Sequence, residues 1–178
     1  MKMKVLSERL VHGPHALGVP RGHLVPCRDV SEDNQRAALA LVDGITAALG
    51  MRDGVLYFQM IVTAQGPRVV EIAPRLDGCH MWRLIRAAEG ADLIAMTMDC
   101  LTGEGQPAML AHGGEGHRTA PLQELMFQQM PPGKPFDPQA FPIPEGAVYH
   151  EYRYASGEDV RAVNGTLEVV GYYIREVT

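Results

Sequence analysis

The sequence holds few cysteines, no long apolar run and no cluster of basic residues. Its three cysteines, Cys27, Cys79 and Cys100, are odd in number, far apart and without zinc-ligand spacing. That excludes a disulfide framework and fits a reducing, cytoplasmic setting. No stretch approaches the roughly 20 uncharged apolar residues of a membrane span, so no membrane partner is expected. The opening MKMKVLSERL carries charges without an apolar core or a small-residue cleavage site, and no signal peptide is expected. A net charge of -5, with no run of Lys or Arg inside the average, excludes non-specific nucleic-acid binding through a dense basic face. Also missing are HxxxH and CxxC spacings, a nucleophile elbow with Ser–His–Asp order, internal repeats and low-complexity tracts.

What is present is an ordinary globular composition: 178 residues, 46% apolar and 21% charged, enough for one core or one core with a small appendage. Residues 1–30 are punctuated by Pro14, Pro20 and Pro26 with glycines between, which predicts a short strand over residues 4–9 and then a long loop. A helix follows. Ser31 caps it, Glu32 and Asp33 suit its positive end, Ala38, Leu41, Val42, Ile45 and Leu49 recur at helical spacing, and Gly50 closes it. Residues 55–63 and 68–73 are rich in β-branched and aromatic side chains and predict a hairpin. Helices are expected over residues 81–89, broken by Gly90, and over residues 92–101. Residues 102–120 read as a glycine-rich surface connection. Strands are expected over 122–129, 148–154 and 167–175, with a turn at Ser156-Gly157. The methionines Met81, Met96 and Met98 fall on expected helices and read as core filler.

The hairpin carries the chemistry. A three-residue loop of Ala64, Gln65 and Gly66 makes opposed positions sum to 130, which sets Gln59 across from Glu71 on one face. Two polar side chains thus interrupt otherwise apolar strands where they can meet one cation, and Arg75 follows just beyond the strand end. A carboxylate for a hard cation beside a guanidinium for phosphate oxygens is what a magnesium–nucleotide site needs. The same residues also fit an ion pair of Glu71 with Arg75 that seals a strand end, with Gln59 a satisfied amide, and structural ion pairs are commoner than metal sites. The seven histidines carry no metal signal: glycine and proline separate His12 from His15, and His112 and His117 fall in the connection. His80 stands at an expected helix N-terminus beside the hairpin, either as a substrate contact or as a partly exposed loop residue. Cys79 has no identifiable base.

The segment 54–78, GVLYFQMIVTAQGPRVVEIAPRLDG, resembles the C-terminal metal-binding hairpin of the ATP-grasp superfamily. Biotin carboxylase, carbamoyl phosphate synthase, D-alanine–D-alanine ligase and the purine-pathway carboxylate–amine ligases belong to that superfamily. Its return strand often reads E-I-N-P-R followed by a glycine pair, where this chain has VVEIAPRLDG. The resemblance extends to the preceding helix, to the two helices after the hairpin and to the tail GEDVRAVNGTLEVVGYYIREV. It implies an α+β fold: an antiparallel sheet with helices on one face over residues 1–103, the connection 104–120, and a terminal β module over 121–178.

Carried over residue by residue, the resemblance implies that Glu71 and Gln59 are metal ligands and that Arg75 is the catalytic, phosphate-neutralising group. Glu71, Arg75 and His80 would then line the cofactor site. ATP with magnesium or manganese would be the cofactors and a small-molecule carboxylate the substrate, turned into an acyl phosphate that an amine attacks. Three residues depart from the pattern. Gln59 stands for an acid, Ala73 for the asparagine ligand, and Asp77 for one glycine of the pair. The lid and N-terminal substrate domain of the complete enzymes have no counterpart here. Two functions are therefore expected. The chain is either a ligase component completed by a separate N-terminal chain, or a non-catalytic remnant used for binding or oligomerisation. By itself the chain is expected to form a homodimer paired through residues 5–10.

Overall fold

The structure, a computed structural model, describes residues 3–13, 16, 18–103 and 121–177. In chain order its elements are β1 (Glu8–Val11), β2 (Pro20–Val25), α1 (Glu32–Ala48), β3 (Tyr57–Thr63), β4 (Gly66–Ala73), α2 (Met81–Glu89), α3 (Leu93–Thr102), β5 (Leu122–Met130), β6 (Ala147–Tyr152) and β7 (Glu168–Val177). The fold is α+β, as expected. The connection read at 104–120, with His112 and His117, lies outside the described residues, as does His15. Among the described residues no helix is long and apolar enough to cross a membrane.

Two compact units divide the chain: Met1–Glu8 with Val25–Ala120, and Arg9–Leu24 with Pro121–Thr178. The first holds the hairpin β3–β4 and the helices. Ser31 caps α1 by accepting from the Asn34 N–H at 3.4 Å, Gly50 follows the helix at φ +65, and Ala38 and Val42 are buried on its inner side. This helix packs on both hairpin strands. Gly90, left-handed, ends α2, and Asp92 caps α3 through the Ala95 N–H at 3.0 Å. Met81, Leu84 and Ile85 are buried on α2. The core role expected of all three methionines holds for Met81 only: α3 buries no residue, and Ile94, Met98 and Leu101 line its outer side, Met98 at 54% exposure. Cys27 is buried, and burial first, then the charges of Glu8 and Asp29, push its thiol up to about 11. All three cysteines are free thiols.

The second unit is a five-stranded sheet in the order β1-β2-β5-β7-β6, with β7 antiparallel to both its neighbours. Its first two strands correct the sequence reading. The opening strand runs Glu8–Val11 rather than over residues 4–9, and β2 occupies a stretch read as loop. Lys4 instead reaches Asp43 of α1 at 2.7 Å. Proline at the first position of β2 costs the ladder nothing. Gly22 serves close approach, since a Cβ there would collide with the Leu125 carbonyl and the Met126 sulfur of β5. Gly22, which reads as loop punctuation, is thus part of the pairing, and the sheet is not confined to residues 121–178.

Leu125 and Phe127 of β5 lie across from Ile174 and Tyr172 of β7, all buried. Gly171 lets β7 run between close neighbours: a Cβ would stand 2.7 Å from Gln128 Oε1 and 2.8 Å from the Glu151 carbonyl. The proline-rich segment after β5 also packs. Phe136, 1% exposed, stacks on Phe141 at 5.8 Å and leans on Tyr152 at 5.3 Å, and its backbone exchanges bonds with Glu158 and Gly157, both at 2.8 Å.

Glu168, at the start of β7 and 3% exposed, clamps the preceding turn. Its carboxylate accepts the N–H groups of Val163, Asn164 and Gly165 at 2.7, 2.6 and 2.9 Å and the Asn164 side-chain amide at 3.1 Å. Burial opposes its charge, yet these donors outweigh burial and hold the carboxyl below the ordinary 4.5. A depressed carboxyl stabilises the fold fully above its unfolded value, and that contribution disappears as pH falls through the folded one. Glu168→Gln will therefore lower the melting temperature at neutral pH, and its deficit against the native chain will close as pH drops below 4.5. Thermal melts of both proteins across pH check this; a deficit independent of pH would show that the charge is not what holds the turn.

Candidate functional site

The site is built on the hairpin β3–β4, and its geometry follows from register. Thr63 pairs with Gly66, so Ala64 and Gln65 alone form the turn, and near the turn opposed positions sum to 129, as in Met60 with Val69. Gly66 takes the left-handed region at φ +94, and the Thr63 hydroxyl donates to its carbonyl at 2.8 Å. The expected three-residue loop is thus replaced by a tighter one. A bulge then inserts Val70 opposite the Gln59–Met60 step, and beyond it the sum becomes 130. Gln59 therefore does lie across from Glu71, by another route than the loop predicted.

Directly opposed residues of an antiparallel pair share a face, so Gln59 and Glu71 project together, with Tyr57 and Ala73 as the next pair on that side. Pro74 follows the strand's last residue, and Arg75 turns back to Glu71: Arg75 Nη2 meets Glu71 Oε1 at 3.3 Å, and Nη1 donates to the Leu76 carbonyl at 3.1 Å. The guanidinium carbon lies 5.6 Å from the centre of the Tyr57 ring, within cation–π reach. The sequence reading does not single out Tyr57, although it stands two residues from Gln59 on the same face. Ala73 is buried and offers no ligand atom.

Both side chains of the ion pair are about half exposed, 47% for Glu71 and 52% for Arg75, and Gln59 is half-buried. With Gln59 neutral, Glu71 and Arg75 cancel, so the face carries oxygen donors and a guanidinium but no net charge. His80 has a separate place. It is the N-cap of α2 in the left-handed region, φ 57, unusual for a residue with a Cβ, and its side chain makes no capping bond. His12, in the other unit, sits 2.7 Å from the Gln129 side chain. Chemically, the hairpin face presents a carboxylate and an amide oxygen for a hard cation, and a planar donor fork for an anion.

No family profile matches this chain. Carnosine synthase 1 of Gallus gallus is 35% identical over 78 residues, which is 44% of this chain and 8% of that protein. Among solved structures, phosphoribosylglycinamide synthetase from Anaerococcus prevotii superposes with a TM-score of 0.72 at 14% identity, covering 97% of this chain and 43% of its own. L-amino acid ligase from Bacillus licheniformis gives 0.69 at 13% identity, over 90% and 40%. N5-carboxyaminoimidazole ribonucleotide synthetase from Thermus thermophilus gives 0.60 at 18%, over 97% and 41%. The chain has the fold of the C-terminal part of the ATP-grasp ligases and spans about two-fifths of the solved ligases it matches.

An exposed ion pair contributes little to stability, about 0–1 kcal/mol. Glu71→Gln and Arg75→Gln are accordingly expected to fold and to shift the unfolding free energy by no more than about 1 kcal/mol each. Urea titration measures this. A loss near ~3 kcal/mol, the scale of breaking a buried pair, would mark Glu71–Arg75 as a structural seal rather than a site.

Proposed function

We propose that this chain supplies the C-terminal half of an ATP- and magnesium-dependent carboxylate–amine (or carboxylate–thiol) ligase site, the other half coming from a lid and an N-terminal domain. The observation that carries this reading is the placement of Gln59, Glu71 and Arg75 on one face of the hairpin, in a chain with the ATP-grasp fold. An L-amino acid ligase and a carnosine synthase among the similar proteins favour an amino acid as the carboxylate substrate. Glu71 and Gln59 would hold the metal, Arg75 the phosphate oxygens, and His80 would contact nucleotide or substrate. The donor set fits a magnesium ion, or manganese, that brings phosphate oxygens with it, because magnesium uses one or two carboxylates and keeps its remaining positions for phosphates and water. Bound there, the ion would neutralise phosphate charge during transfer to the carboxylate. Arg75 adds a fixed positive charge where negative charge develops.

With a single carboxylate on the hairpin, the isolated chain is expected to bind magnesium–ATP weakly or undetectably and to show no ATP-dependent ligation. Calorimetric titration tests the affinity. A dissociation constant in the low micromolar range would contradict the half-site reading, since it requires about 8 kcal/mol from these few groups.

A second reading, a non-catalytic remnant used for oligomerisation, is favoured by a specific observation. Among the described residues the hairpin forms a two-stranded sheet and exposes Ile61, Val62, Val70 and Ile72, at 55%, 44%, 54% and 37%. Apolar strands left bare invite association, and a two-fold dimer is the simplest closed solution. β1, at one end of the five-stranded sheet, offers a further edge for pairing. Free, widely spaced thiols accord with a cytoplasmic setting. Sedimentation equilibrium of the purified chain should show a dimer, and adding a protein that carries the lid and N-terminal domain of such a ligase should dissolve it. A single-chain mass over a wide concentration range would remove this reading.

A further inference from the structure

The ion pair on the hairpin has a bearing on how the proposed site fills. Glu71 is the carboxylate for the cation and Arg75 the guanidinium for phosphate, yet the two face each other at 3.3 Å. Gln59, opposite Glu71, adds an oxygen donor but no charge. A free divalent cation therefore meets a carboxylate that is already neutralised, and a free polyphosphate meets a guanidinium that is already neutralised. Either ligand alone competes with the pair for a group whose charge is already offset, and to the extent that it draws that group away it leaves one charge without its counterion. The two together satisfy both charges. Arg75 also has somewhere to go: the Leu76 carbonyl at 3.1 Å and the Tyr57 ring at 5.6 Å hold its guanidinium near the strand end when Glu71 lets go.

We infer that the Glu71–Arg75 pair is a coupling latch, through which the hairpin takes magnesium and polyphosphate together and disfavours each alone. The inference rests on the proposed ligase-site reading. Its mark is a pair of effects of opposite sign. Removing the guanidinium frees Glu71 for a bare cation, and the same change takes away the partner of the phosphate. Because the pair is half exposed, each effect is modest, up to about fivefold in affinity, the equivalent of an exposed ion pair.

The test uses nuclear magnetic resonance titration of the full chain, following backbone amides of β3 and β4, with magnesium chloride alone, sodium tripolyphosphate alone, and both. In the native chain the mixture should bind more tightly than either component alone. Arg75→Gln should bind magnesium alone up to about fivefold more tightly than the native chain and magnesium tripolyphosphate more weakly. Arg75→Lys, which keeps the charge, should restore the native pattern at least in part. Glu71→Gln should abolish the response to magnesium alone. If Arg75→Gln moves both affinities in one direction, or neither, while Glu71→Gln still abolishes the magnesium response, the latch is overturned and the proposed site stands. If no probe moves the hairpin amides in any of the proteins, the latch is overturned, whereas the half-site, which is expected to bind weakly by itself, is decided by the calorimetric titration.

Discussion

The alternation of side chains across the hairpin is the constraint on which the site depends. In an antiparallel ladder a shift of one residue turns every side chain to the opposite face. Gln59, Glu71 and Tyr57 share a face only because the pairing of β3 with β4 brings Gln59 opposite Glu71 and Tyr57 opposite Ala73. Arg75 needs no further element to join them. Pro74 ends the strand's run, and the guanidinium reaches back along it to Glu71. Helix α1 packs against both strands and supports the same pairing from outside.

Electrostatics then distinguishes what this face can do from what a dedicated metal cage does. A cage gathers negative charge in advance; here one carboxylate is matched by one guanidinium and faced by an amide. Such a face is neutral until a ligand with charges of both signs arrives, as a metal–phosphate complex does. Its half exposure keeps the Coulomb terms small, so the groups depend on a larger enclosure to gain strength.

Much of this was legible in the sequence wherever local chemistry decides the outcome. Ser31 and Gly50 bracket α1, Gly90 and Asp92 separate α2 from α3, and the terminal strands announce themselves by composition. The spacing of Arg75 was readable in the same way, whereas the opposition of Gln59 and Glu71 was read from a three-residue loop and holds because a tighter turn is offset by the bulge at Val70. What stayed hidden depends on partners distant in the chain. β2 looks like a loop because Pro20 and Gly22 read as punctuation, while its real determinant is a neighbouring backbone close enough to exclude a Cβ. Met98 sits on a helix as expected but faces outward, which periodicity alone does not decide. The neutralisation of Glu71 by Arg75 is a matter of side-chain placement, so the sequence offered it only as one of two readings.

The bulge at Val70 has a consequence of its own. It acts as a phase shifter in the ladder, with one arithmetic on the turn side and another on the site side. A two-residue turn followed by an extra residue, and a three-residue turn with none, deliver the same opposed pair. The length of the tip and the geometry of the site are therefore separable: a residue gained at the turn and lost at the bulge leaves Gln59 facing Glu71. Insertions compensated in this way change the hairpin's outline without changing which side chains meet, whereas an uncompensated one moves Glu71 to the opposite face.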